Sequence, residues 1–173
     1  MKTILALIDF SDVSTKVLEQ AQRLARAFGH DVVLMHIVPP EPLVVDFEPP
    51  AVPQDVLLSR QQQLSAMCDT LTRQDVTATA QVLGGLLLET VLEQIDLLDP
   101  EVIIMGSHGH GALYHLIVGG VTEGVIKHAS RPVLVIPSVT VPQSHPVKAR
   151  KPRRERTDSL AKTLGGMPAP LPL

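Results

Sequence analysis

The chain has no tryptophan, and only four of its 173 residues are aromatic: Phe10, Phe28, Phe47 and Tyr114. Its core must therefore be aliphatic, and sites that depend on aromatic platforms, such as single-stranded nucleic-acid grooves, are disfavoured. Cysteine occurs once, at Cys68, which excludes an intramolecular disulfide framework and any Cys-only zinc site within the chain, and suits a reducing compartment. No apolar stretch approaches the roughly 20 residues that a membrane span needs. The opening MKTILALIDFSD is interrupted by Asp9 and is too short for the core of a secretory signal, so a cytoplasmic location is expected.

Charge is unevenly placed. Residues 1–140 hold 8 Lys or Arg against 16 Asp or Glu, whereas 141–173 hold 7 against 2, so an acidic body carries a basic tail. The tail is rich in proline and lacks a sustained apolar period; it is expected to be mostly disordered, because it cannot bury enough surface to offset the entropy of ordering. Six of its seven basic residues, Lys148, Arg150, Lys151, Arg153, Arg154 and Arg156, cluster within nine positions and suit weak contact with polyanions or acidic protein surfaces, and specific base recognition is disfavoured. The expected organisation is one domain over residues 1–137 and a basic, Pro-rich tail over 138–173.

Within the body, apolar periodicity alternates between strand and helix. Thr3 to Ile8 is a continuous apolar run, the pattern of a strand buried on both faces of a parallel sheet. Val13, Val17, Leu18, Ala21, Leu24, Ala25 and Phe28 then recur at helical spacing between Ser11, a candidate N-cap, and Gly29, a candidate C-cap. Asp31 to Val38 repeats the strand signal, and a proline-studded excursion over 39–53 follows. Helix signals follow at about Asp55 to Arg73, Leu88 to Leu98 and Gly120 to Ala129. Strand signals fall at Val76 to Val82, whose alternation suggests a strand with one wet side or a sheet edge, at Val102 to Met105 and at Val133 to Ile136. The order βαβαβαβαβ implies an α/β fold with right-handed crossovers and helices on both faces of a parallel sheet. Ligands in such sheets bind beyond the carboxyl ends of the strands, at the switch point of strand order.

The fourth strand signal runs into GSHGHGALYHLIVGGVTEGVIKHA, where Gly106, Gly109, Gly111, Gly119 and Gly120 are five of the chain's 11 glycines. Glycine lets backbone N–H groups approach an anion, and Gly119 and Gly120 open a helix whose N-terminal dipole favours phosphate. No Gly-Lys-Ser/Thr occurs anywhere and no glycine follows the first strand, so this is neither a Walker loop nor a dinucleotide fingerprint. His108, His110 and His115 lack a nearby carboxylate or cysteine to complete a metal site and are read as solvated loop histidines. Ser107 stands in GSHG, without the spacing of a hydrolase elbow. Cys68 falls on the apolar face of its helix and is expected to pack rather than react; His36 is expected to be a hydrogen-bonded structural histidine. Asp9 has two readings: a helix-start residue supporting Ser11, or a ligand contact.

The spacing Gly106, two residues, Gly109, nine residues, Gly119, with the strand ending IDFSD, His36-Ile37-Val38 and the closing HASRPVLVIP, resembles the universal stress protein family and its ATP-binding motif over about residues 1–137. The resemblance implies a doubly wound five-stranded parallel sheet of order 3-2-1-4-5, like that of the adenine nucleotide alpha hydrolases, with ATP across the switch between the first and fourth strands. Carried over, Leu7, Ile8 and Asp9 would meet the nucleotide, Asp9 acting on the ribose or on an accompanying Mg or Mn ion. Ile37 would face the adenine with its backbone. Met105, Gly106 and Gly109 would pass beneath ribose and phosphates, and Gly119, Gly120 and Val121 would hold the terminal phosphates. The chain departs from the motif at Gly120, where the family carries a serine or threonine hydroxyl; Thr122 lies two residues on, turned about 200° away on a helix. The function implied is an ATP-binding regulatory protein of stress response that pairs as a homodimer through its last strand and binds a protein partner. The alternatives are an interaction module of the same fold without nucleotide, and a slow ATPase, which the lack of Lys or Arg from Gly106 to Gly120 disfavours.

Overall fold

The first strand, β1 (Thr3–Leu7), lies at the centre of the sheet because nearly every residue in it is apolar and can be covered on both faces. In the computed structural model, which describes residues 2–40, 52–107 and 120–137, β1 is followed by α1 (Asp12–Phe28), β2 (Asp31–Val38), α2 (Gln54–Thr72) and β3 (Ala78–Gly84). Then come α3 (Leu87–Leu98), β4 (Val102–Gly106), α4 (Val121–His128) and β5 (Val133–Ile136). The expected element order holds throughout. Residues 41–51 of the Pro-rich excursion, the loop residues 108–119 and the tail over 138–173 lie outside the described residues.

All strand pairs are parallel and the sheet order is β3-β2-β1-β4-β5. β1 pairs with both β2 and β4, Leu5 facing Val33 on one side and Ile103 on the other, so the winding direction reverses between β1 and β4. That junction is the switch point.

Strand alternation divides the core into two layers. Ile4, Ala6, Ile8, Val32, Leu34 and Ile104 point toward α1 and α2, where Val13, Val17, Ala21, Ala25, Leu64, Cys68 and Leu71 cover them. Leu5, Met35, Ile37, Ile103 and Met105 point the other way, toward Val91 and Ile95 of α3 and Val125 of α4. Cys68 therefore packs in the core as its helical position predicted.

β3 is an edge strand, as its alternation suggested, but it begins at Ala78 rather than Val76 and runs to Gly84. Val76 is buried beneath the end of α2, its N–H donating to Leu71 O at 3.2 Å, so its apolar character reflects packing in the turn rather than strand pairing. Gly29 ends α1 in the left-handed region (φ 66°), donating to Ala25 O, which a residue with a Cβ adopts only at a cost.

Candidate functional site

At the carboxyl end of β1 the chain turns sharply into α1. Ile8 is still held to β2, its N–H donating to Met35 O at 2.8 Å. Asp9 then gathers the start of the helix: its Oδ1 accepts from Ser11 N at 3.0 Å, from Ser11 Oγ at 2.6 Å and from Ser14 Oγ at 2.8 Å. Burial alone would raise the Asp9 carboxyl, but these hydrogen bonds outweigh it and hold the group below its ordinary value. Asp9 is thus a carboxylate that organises the turn. Ser11 occupies the N-cap position in extended conformation, as expected, yet its hydroxyl serves Asp9 and makes no cap bond to α1. The Ser14 contribution was not foreseen; the spacing Asp9-x-Ser11-x-x-Ser14, one turn into a helix, is the signal that could have found it.

Phe10, between Asp9 and Ser11, adopts a left-handed backbone (φ 60°), uncommon for a bulky residue. Its ring is wedged between two neighbours. The His36 ring lies 4.6 Å from it and the Arg60 guanidinium 5.4 Å above its face, so β2 and α2 hold the strained turn in place. His36 is anchored in turn through Nδ1, 2.7 Å from Ile8 O, which fits the neutral tautomer with its proton on Nδ1. Burial lowers the His36 pKa and Arg60 pushes the same way, while the Ile8 carbonyl and Asp9 oppose them. His36 is the hydrogen-bonded structural histidine that the sequence suggested.

Ile37 is buried next to His36, in register with Leu83 of β3. Across the switch, Met105 is buried and Gly106 pairs with Ile136 of β5. α4 begins after Gly120, an extended N-cap residue (φ −78°, ψ −173°) that supplies no side-chain cap. Leu7, Ile8, Asp9, Ile37, Met105 and Gly106 thus end β1, β2 and β4 at one edge of the sheet, and Gly120 and Val121 open α4, which follows β4 in the chain. Gly109 and Gly119, the other two expected contacts, lie outside the described residues, as do His108, His110 and His115.

The Thr122 hydroxyl donates to Gly106 O at 3.2 Å, so it closes on the end of β4, away from position 120 as its helical offset implies. Glu123 in the same turn pairs through Oε1 with Lys127 at 2.5 Å, and its buried Oε2 has no partner among the described residues. No group of three or more His, Cys, Asp or Glu that could hold a metal ion occurs among the described residues. A separate cavity of about 310 Å³, lined by Arg26, His30, Asp31 and Asp75 among others, lies at the amino ends of β2 and β3, the edge opposite the switch point. No described helix is long and apolar enough to cross a membrane.

A parallel sheet wound 3-2-1-4-5, with a polar turn and a helix start at its switch point, defines a doubly wound α/β protein, an architecture whose ligands characteristically sit beyond the carboxyl ends of the strands. Residues 1–137 match the model of the Universal stress protein family, and the chain belongs to that family. It is similar to a universal stress protein of Methanocaldococcus jannaschii, 28% identical over 141 residues that cover 78% of this chain and 81% of the relative. Among solved structures it shares its fold with a universal stress protein from Archaeoglobus fulgidus in complex with dAMP (TM-score 0.60, 20% identity, 78% of this chain and 96% of that one). It also shares it with a family protein from Arabidopsis thaliana with AMP bound (TM-score 0.56, 15% identity, 81% and 94%).

Proposed function

We propose that this chain is an adenine-nucleotide-binding regulatory protein of stress response, and that its ligand is ATP. The observation that carries the proposal is the convergence of Leu7, Ile8, Asp9, Ile37, Met105 and Gly106 on one sheet edge, at the strand-order reversal. Relatives of this fold that hold dAMP and AMP support the adenosine half of the ligand. In this reading the backbone of Ile37 meets the adenine and Asp9 meets the ribose or a nucleotide-bound Mg or Mn. Asp9 would do so through Oδ2, since its three bonds to Ser11 and Ser14 all fall on Oδ1. The phosphates run over Gly106 and Gly109 to the first N–H groups of α4 at Gly120 and Val121, where the helix dipole favours negative charge. Occupancy changes the conformation of the glycine loop and with it the surface offered to a protein partner, and two copies pair through β5. Catalysis beyond slow hydrolysis is not part of the proposal, because residues 106–120 contain no Lys or Arg to neutralise a phosphoryl group in transfer.

The test is direct. Protein purified without added nucleotide, then denatured, should release an adenine nucleotide identifiable by chromatography. Calorimetry with Gly109→Val and Gly119→Val should show ATP binding lost or weakened at least about tenfold, because a branched Cβ would obstruct the phosphate path. Undiminished affinity in both would remove the loop from the site. A second reading, an interaction module without nucleotide, is favoured by one observation: Gly120 offers no side chain where the family motif has a hydroxyl. Gly120→Ser separates the two, since tighter ATP binding in that variant supports a phosphate at the α4 start.

A further inference from the structure

We propose that Thr122 is a positioning residue for the nucleotide's phosphates, acting by locking the peptide between Gly106 and Ser107; this rests on the nucleotide reading above. A trans peptide is planar, and its C=O and the following N–H point in opposite directions. At this peptide both ends are engaged by different elements. The carbonyl of Gly106 accepts from Thr122 Oγ1 in the first turn of α4 (3.2 Å), and the N–H of Ser107 donates to Ile136 O of β5 (2.8 Å). The plane is therefore strung between α4 and β5, and cannot rotate without breaking one bond or the other.

Two consequences follow for an anion at this edge. The Ser107 N–H is already engaged by β5, so at this junction the N–H groups at the start of α4 are the ones placed to serve phosphate. The place where those donors stand relative to the end of β4 is set by the Thr122 bond, which joins the last residue of β4 to the first turn of α4. α4 is also seated against α3 through Gly124, where a Cβ would meet Leu88 Cδ2 at 2.6 Å. Thr122 has the only hydroxyl in α4, and its proton is committed to a carbonyl. It can accept but not donate, so it offers nothing to phosphate directly and acts through the geometry of Gly106.

Thr122→Val keeps the shape and β-branching and removes only the donor; Thr122→Ser restores the donor. With the full-length chain, calorimetry with Mg-ATP and with adenosine should show Thr122→Val weakening ATP about three- to tenfold while adenosine changes less than about twofold, and Thr122→Ser recovering wild-type ATP affinity. Without ligand, the carbonyl carbon resonance of Gly106 should move in Thr122→Val and return in Thr122→Ser. A Gly106 resonance unmoved in Thr122→Val overturns the lock whatever binds. Equal loss of ATP and adenosine, unchanged ATP affinity, or failure of the serine variant to recover it overturns the positioning role. A wild-type chain that binds neither ligand overturns the nucleotide reading, and that outcome is separate from the ligand-free resonance.

Discussion

Asp9 illustrates how one carboxylate can be written into the fold before any ligand is considered. Its hydrogen bonds from Ser11 and Ser14 stabilise the charged form, so the folded pKa lies below the ordinary 3.8. Stability from this group is therefore present above about pH 4 and lost as pH falls through the lower folded value. Asp9→Asn should cost about 1–2 kcal/mol at pH 7 and flatten the acid limb of a urea-denaturation series below pH 4, whereas an unchanged acid limb would separate Asp9 from acid unfolding. His36 titrates higher with the same sign. Burial depresses its folded pKa below 6.5, so stability is complete above 6.5 and declines as pH falls from there through the folded value. His36→Gln should remove that decline, and a variant that keeps it would assign the loss to another group. At Cys68, burial, aided by Asp69, pushes the thiol up to about 11, leaving it protonated at neutral pH. Iodoacetamide should label it only at the rate at which the α1–β–α2 layer opens; fast labelling of native protein at pH 7.5 would contradict the packing seen here.

At the scale of elements, the helices are located by close approaches that the apolar pattern does not announce. Gly124 faces Leu88 so closely that a Cβ would overlap both Leu88 methyl carbons, at 2.6 and 2.8 Å, which lets α4 lie against α3. Alanine normally gains about 1 kcal/mol over glycine in a helix interior, so the sign of Gly124→Ala depends on whether Leu88 can move aside. Leu88 is partly buried against the α3–α4 core layer and would lose part of that packing on moving aside, so we expect Gly124→Ala to destabilise the native chain by about 1 kcal/mol. In a Leu88→Ala background the same substitution should become stabilising. A double-mutant cycle by denaturant unfolding measures the coupling, and additive effects would mean that the two side chains do not meet. The β1, β2 and β4 signals were clear in the sequence because strands covered on both faces are almost wholly apolar. The start of β3 was misread by two residues because Val76 is buried for a different reason, the turn after α2.

For the whole molecule, an edge strand with a partly exposed apolar residue invites a partner. β5 ends the sheet with Leu134 36% exposed, and the expectation is a homodimer formed through this edge. Light scattering at micromolar concentration should give twice the chain mass, and Leu134→Lys should shift it toward the monomer; a monomer mass for the unaltered chain would refute the pairing. The sequence alone determined the element order, the aliphatic two-faced core, the parallel winding and the family, because strand and helix periods that alternate in this way imply right-handed crossovers and a parallel sheet, and the glycine spacing stands in its expected slot. Only the tertiary structure decided what the polar residues at the switch point do. That Asp9 binds Ser14, that Phe10 is held left-handed between His36 and Arg60, and that Thr122 reaches back to Gly106 are contacts between different turns and elements. Periodicity reports which face of its own element a side chain occupies. The partner it meets depends on how the elements cross, and that is settled by packing.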